Sequence, residues 1–250
     1  MKKINPNLLK LAQLTHNPSL AEPKLEEKAE EVKDSGILEI TAKINRRDYI
    51  QIPNTSILIS KKEIHRGRNW KSTIEALAED GLFMPSPAIF MPYFTSVLEA
   101  YQRKKKLYDG QRDQIPLKEV EDLYKYLASG HRNGCWTWLD AKFSKGKKGL
   151  ELETEHCVVK GTLVGKTYPS EKYVAKNCFV DLEFNSQGLP LSKAINQSYK
   201  QGKNIKFWYP RNGAVAGFVA GSGGAVFDCY CVPSYSVDSL GVRAAARAKI

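Results

Sequence analysis

From Trp208 to Ala245 the chain reads WYPRNGAVAGFVAGSGGAVFDCYCVPSYSVDSLGVRAA, and no other stretch restricts the possible folds as tightly. Phe218, Ala220 and Ser222 alternate with Gly217, Val219, Gly221 and Gly223. Ala225, Phe227, Cys229 and Cys231 then alternate with Val226, Asp228, Tyr230 and Val232. Successive side chains on a strand point to opposite faces, so a period of two predicts two adjacent strands. The Gly223-Gly224 pair is the expected turn between them. Pro233 is expected to end the second strand, because it has no N–H for a ladder. Phe218, Ala220, Ala225, Phe227 and Cys229, with Leu240 further on, are the expected anchors to a core. The opposite face is erratic, with glycines where a hairpin built only for packing would place larger apolar groups.

Composition adds a second constraint. Between Asn212 and Val242 there is no Lys, Glu, Gln, Met or Trp, although 26% of the 250 residues are charged. A glycine-rich hairpin that merely closes a core has no physical reason to exclude those types.

With these residues in view, the stretch resembles the variable region of target proteins of diversity-generating retroelements, of the archaeal or archaeal-virus type. The resemblance is carried by WYPRNG at Trp208 to Gly213, by the spaced Phe218, Ala220, Ser222, Ala225 and Cys229, by Pro233, Ser234 and Ser236, and by SLGVRAA from Ser239 to Ala245. In that family a reverse transcriptase copies a template repeat and miswrites its adenines. An Asn codon altered only at adenines cannot encode Lys, Glu, Gln, Met or Trp, the types missing here. SLGVR also resembles the formylglycine-generating-enzyme branch of the C-type lectin fold. The resemblance implies such a fold, α+β with helices on small antiparallel sheets, and a variable region at 208–245. It implies ligand binding through Ala214, Gly217, Val219, Gly221, Gly223, Val226, Asp228, Tyr230, Cys231, Val232, Tyr235, Val237 and Asp238. Tyr230 and Tyr235, with the valines around them, are the expected contact patch, since Tyr offers large contact area with few rotors.

Other functions draw less support. A net charge of +11 favours an acidic partner, so a basic nucleic-acid or acidic-surface binding protein is the alternative. The runs Arg103 to Lys106 and Lys145 to Lys148 are short, however, and carry no interleaved aromatics for stacking. Five cysteines without C-x-x-C spacing argue for reduced thiols in an intracellular setting, and four scattered histidines give no zinc pattern. Cys229 and Cys231 invite comparison with the metal-binding cysteine pair of formylglycine-generating enzymes, because i and i+2 on a strand share a face. Burial as small hydrophobes is the stronger account of them. No G-x-S-x-G elbow is present, GSGGA at Gly221 to Ala225 lacks phosphate-loop spacing, and Asp228 and Asp238 lack the neighbouring carboxylates of a calcium cage. The expectation is therefore a non-enzyme without cofactor or metal, binding an unknown protein or cell-surface component. No signal peptide or membrane-length apolar run is read, so a cytoplasmic or virion-associated location is expected.

The rest of the chain divides into an extension over 1–36, a small β segment over 37–60 and a ligand-binding domain over 61–250. The extension carries a short helix at Asn7 to Leu14 and the charged run LEEKAEEVKD. Strands are expected around Ile37 to Ile40, Tyr49 to Ile52 and Ile57 to Ile59. Helices are expected at Asn69 to Ala78, capped by Asn69, from Pro87 to about Lys106, capped by Ser86, and from Pro116 to Ala128. Short strands follow from Trp136, through Leu150 to Leu163, at Cys178 to Phe184 and at Ile205 to Trp208. Helices before many strands, with no βαβ repetition, is an α+β order.

Overall fold

The computed structural model describes residues 44–128, 134–147 and 149–248. The expected extension, its helix at Asn7 to Leu14 and the strand around Ile37 to Ile40 lie outside these residues. The described residues fall within one compact unit, and its class is mixed α+β.

Three helices come first. In α1 (Trp70–Glu79) the Asn69 side chain accepts the Ser72 N–H at 2.9 Å, the expected cap. Trp70, Ile74 and Leu77 form its buried stripe, and Gly81, at φ +69°, lets the chain leave. The second helix, α2 (Pro87–Tyr101), differs from expectation at both ends. The Ser86 side chain makes no capping bond; its carbonyl instead accepts the Ile89 and Phe90 N–H groups. The helix stops at Tyr101 rather than near Lys106, with Arg103 at φ +58°. Residues 102–106 are exposed and have no apolar side chain to bury, whereas the turn delivers Leu107 to the core. The third, α3 (Leu117–Ala128), buries Val120, Leu123, Tyr124 and Leu127.

Two sheets complete the fold. β1 (Tyr49–Gln51), β2 (Ile57–Ser60) and β10 (Ala245–Arg247) form a small antiparallel sheet with β2 central, so the segment before residue 60 is paired to the end of the C-terminal stretch. The larger sheet contains β3 (Trp136–Gly146), β4 (Gly149–Val159), β5 (Thr162–Pro169), β6 (Cys178–Asp181), β7 (Asn204–Trp208), β8 (Val215–Gly221) and β9 (Gly224–Cys231). Their order is β5-β4-β3-β8-β9-β7-β6. This sheet is larger than the expected small ones, and β7 pairs with β9 in parallel while the other neighbours are antiparallel.

Helices α2 and α3 cover the inner face of this sheet. Phe218 meets Phe90 and Phe94 with ring centroids 4.9 and 5.0 Å apart, and Phe227 packs on Phe207 at 5.5 Å. Burying each such ring stabilises the fold by roughly 1.5–3 kcal/mol. On the outer face α1 covers only one end: Trp70 stands edge-on to His156, and its Nε1 donates to the Leu139 carbonyl.

The SLGVR ending has a structural task. Arg243, 1% exposed, donates through Nη1 to the carbonyls of Ser60 and Lys61 and to the Tyr93 hydroxyl, and its Nε lies 3.2 Å from Glu63 Oε1. Tyr126 and Cys135 also donate to the Glu63 carboxylate. Burial alone would raise that carboxyl; Arg243 and the two donors hold it below the usual carboxylate range. Burial also pushes the Tyr93 hydroxyl up to about 12, so it stays neutral. This buried charge pair joins β2 to the C-terminal segment, with Arg243 Nε facing Glu63 as an ion pair without a hydrogen bond.

Candidate functional site

The site is built on β8 and β9. Phe218, Ala220, Ala225, Phe227, Cys229 and Leu240 are all at most 2% exposed. The turn is displaced by one residue from expectation. Gly221 pairs with Gly224, so Ser222 and Gly223 form the loop. Gly224 is required on two counts. Its φ is +97°, and a Cβ there would lie 2.3 Å from the Tyr199 ring. Gly221 and Gly223 have no atom within 4 Å of a Cβ.

Ladder register places two rows across the outer face. Trp136, Val219, Val226 and Lys206 form one; Trp138, Gly217, Asp228 and Trp208 form the next. Val219, Gly221, Val226 and Asp228 are half-buried on this face, and Gly223 is exposed at its tip. A bulge between Val215 and Gly217 then shifts the register, so that Val215 pairs with Cys231. The shift puts the two thiols on opposite faces, although i and i+2 on a regular strand share one. Cys229 packs in the core beneath α2 and α3, whereas Cys231 joins the outer cluster of Trp70, Trp138, Val215 and Leu240. Burial pushes both thiols up, Cys229 strongly.

After the bulge the chain crosses the outer face as a loop. Tyr230, Val232 and Tyr235 are 43, 61 and 44% exposed. The loop is held rather than free: the Pro233 carbonyl accepts the Trp70 N–H, the Tyr235 ring packs tilted against Trp136 at 5.5 Å, and Val237 packs on the outer cluster. Asp238 is exposed beside Gly67. Of the expected ligand-binding residues, Ala214 and Gly217 do not face solvent. Ala214 is 7% exposed where its backbone pairs with Phe143, and Gly217 is covered by Cys231. Alternation alone could not reveal the cover, because it comes from a residue beyond the bulge.

Three neighbours were not read as part of the face. Lys206 lies over the Trp208 ring at 4.7 Å. Arg211 lies over the Tyr230 ring at 3.8 Å and donates to its hydroxyl at 2.7 Å. The signal was available in Lys206 and Trp208, which alternate with buried Ile205 and Phe207. Asp228 accepts the Tyr230 N–H at 2.8 Å, and burial raises its carboxyl above the usual range.

A cavity of about 1310 Å³ lies elsewhere, lined by Lys61, Glu63, Arg66, Glu119, Tyr126 and Arg243 among others. Within it Lys61 pairs with Glu119 at 2.7 Å, and Arg66 with Glu63 at 3.3 Å. Among the described residues no cluster of His, Cys, Asp or Glu is arranged to hold a metal, and no helix is long and apolar enough to cross a membrane. Comparison with protein-family models, curated proteins and solved structures finds no match to this chain.

Proposed function

We propose that the protein is the target protein of a diversity-generating retroelement, a non-catalytic binder whose outer hairpin face is rewritten by adenine mutagenesis on a scaffold of C-type lectin type. The observation that carries this reading is the agreement between a coding restriction and a steric one. The run 212–242 lacks every residue type that adenine changes to an Asn codon cannot produce. Within the same run the inward side chains are at most 2% exposed, while Gly221 and Gly223 leave open space for any side chain. Gly224, which tolerates no side chain, is not among the residues read as diversified. Exposed substitutions cost little, usually within about 0.5 kcal/mol, so such a face varies while the fold energy stays in the anchors.

Binding rather than catalysis is favoured by the two thiols. They sit in opposite clusters, and their raised pKa values keep them as poorly nucleophilic thiols. Two helices against a loop-rich sheet support the lectin-type scaffold.

Sequencing the DNA beside the gene tests the reading. The expected result is a near-copy of the coding stretch for Trp208 to Ala245, with Asn codons facing Val219, Gly221, Gly223, Val226, Asp228, Tyr230, Val232, Tyr235 and Val237, beside a reverse transcriptase gene. A locus with neither repeat nor reverse transcriptase overturns it.

A further inference from the structure

Between Glu183 and Asp228 the chain carries Lys193, Lys200, Lys203, Lys206 and Arg211 and no acid. The fold sets these cations along one side of the hairpin. Lys193 bridges to Val180 on β6, and Lys206 stands beside Val226 in the parallel β7–β9 ladder. Following that ladder back two residues sets Asn204 level with Gly224, so the Lys200–Lys203 turn flanks the tip. Tyr199, against Gly224, pins the turn there. Arg211 closes the row over Tyr230. None of the five makes an ion pair among the described residues, although Lys61, Lys71, Lys105, Lys118, Lys142 and Lys166 all do. Of the nearby acids, Asp181 accepts from Ser192, Asp228 accepts from the Tyr230 backbone, and Glu183, exposed beside the Lys193 segment, makes no ion pair among the described residues. The charge of this edge is therefore uncompensated within the described fold.

We propose that this basic edge is a constant half of the binding face and that the partner is a protein presenting a surface rich in Asp and Glu. The proposal rests on the reading of the hairpin as a diversified surface. Lys193, Lys200, Lys203 and Lys206 precede Trp208, where the stretch read as variable begins, so they are the same whatever the hairpin encodes; Arg211 lies in its WYPRNG entry. The edge supplies attraction and a faster encounter, and the hairpin supplies identity. A protein fits better than a nucleic acid. Base stacking needs open ring faces, and those of Trp208 and Tyr230 carry Lys206 and Arg211. Asp228, midway across the face, also opposes a continuous phosphate backbone. An apolar centre of Val219, Val226 and Val232 beside a charged rim has the layout of a protein interface.

Poly-L-glutamate is the probe, titrated into the full chain at low and high salt. Lys203→Glu/Lys206→Glu is compared with Lys104→Glu/Lys106→Glu, which changes net charge equally at exposed positions after α2. The expected result is binding that weakens about tenfold or more in the first variant and at high salt, with the second variant close to wild type. Thermal unfolding checks that each variant folds, and Lys200→Gln/Lys203→Gln, confined to the exposed turn, replaces the first should it not. Equal weakening in both charge-reversed variants, no binding of poly-L-glutamate, or tighter binding of oligodeoxythymidine at matched salt overturns the proposal. None of these outcomes bears on the template repeat, so the two readings fail separately.

Discussion

Gly217 and Cys231 share one volume: a Cβ on Gly217 would lie 3.2 Å from Cys231 Sγ. The bulge that pairs Val215 with Cys231 creates this contact between residues that simple alternation would leave apart. Gly217→Val is expected to destabilise the fold by about 1–3 kcal/mol through overpacking. Adding Cys231→Gly should recover about 1 kcal/mol or more of that loss. Denaturant unfolding of both single variants and the double variant measures the coupling. Additive effects would mean that the two side chains do not compete. If the hairpin is diversified, large residues at 217 should occur with small ones at 231.

The three glycines at the hairpin tip should respond differently to one substitution. Gly224→Ala meets both the Tyr199 ring and a φ of +97°, and is expected to cost more than about 1 kcal/mol. Gly221→Ala and Gly223→Ala meet nothing and should remain within about 0.5 kcal/mol of wild type. Unfolding midpoints at equal m-value decide the matter. A costly Gly223→Ala would show that the tip is not free to vary.

Tyr230 and Phe227 test the two faces of one strand. Phe227 is fully buried, and Phe227→Ala is expected to cost about 3–5 kcal/mol. Tyr230 is 43% exposed and its main contact is the Arg211 guanidinium at 3.8 Å. Tyr230→Ala should therefore cost at most about 1 kcal/mol, the scale of an exposed cation–π contact. Against a partner recovered by binding selection it should weaken affinity by more than about 1 kcal/mol. Calorimetry on the free protein and titration with that partner give the two numbers. A large loss of stability would place Tyr230 among the anchors.

How far the chain was legible depends on the range of the interaction that settles each feature. Local signals sufficed for Asn69 as a cap, for the stripe at Trp70, Ile74 and Leu77, and for the inward set from Phe218 to Cys229. The bulge before Gly217 has no local signature, because one extra residue in a strand leaves the apolar pattern on either side intact. The opposite placement of Cys229 and Cys231, and the cover over Gly217, followed from it. The parallel pairing of β7 with β9 is likewise decided by residues far apart in sequence, and it is what brings Lys206 and Trp208 beside the hairpin. The end of α2 at Tyr101 reflects the need to bury Leu107, a tertiary demand that overrides the helix propensity of Gln-Arg-Lys-Lys-Lys.

The buried pair of Glu63 and Arg243 provides a further test. The Glu63 carboxyl is held below its ordinary range despite burial, because Arg243, Tyr126 and Cys135 favour the charged form. Its contribution to stability is complete above the ordinary carboxylate value of about 4.3 and is lost as pH falls through the lower folded value. Unfolding free energy should thus fall on acidification below that range, and part of the slope should vanish in Glu63→Gln. At neutral pH that variant leaves a guanidinium 1% exposed without its counter-charge, and is expected to cost about 3–5 kcal/mol. Glu63→Gln/Arg243→Met, which removes both charges, should recover part of the loss. Urea unfolding across the acidic range checks all three. A slope unchanged in Glu63→Gln would assign the acid sensitivity to other carboxylates and reduce the pair to a packing contact.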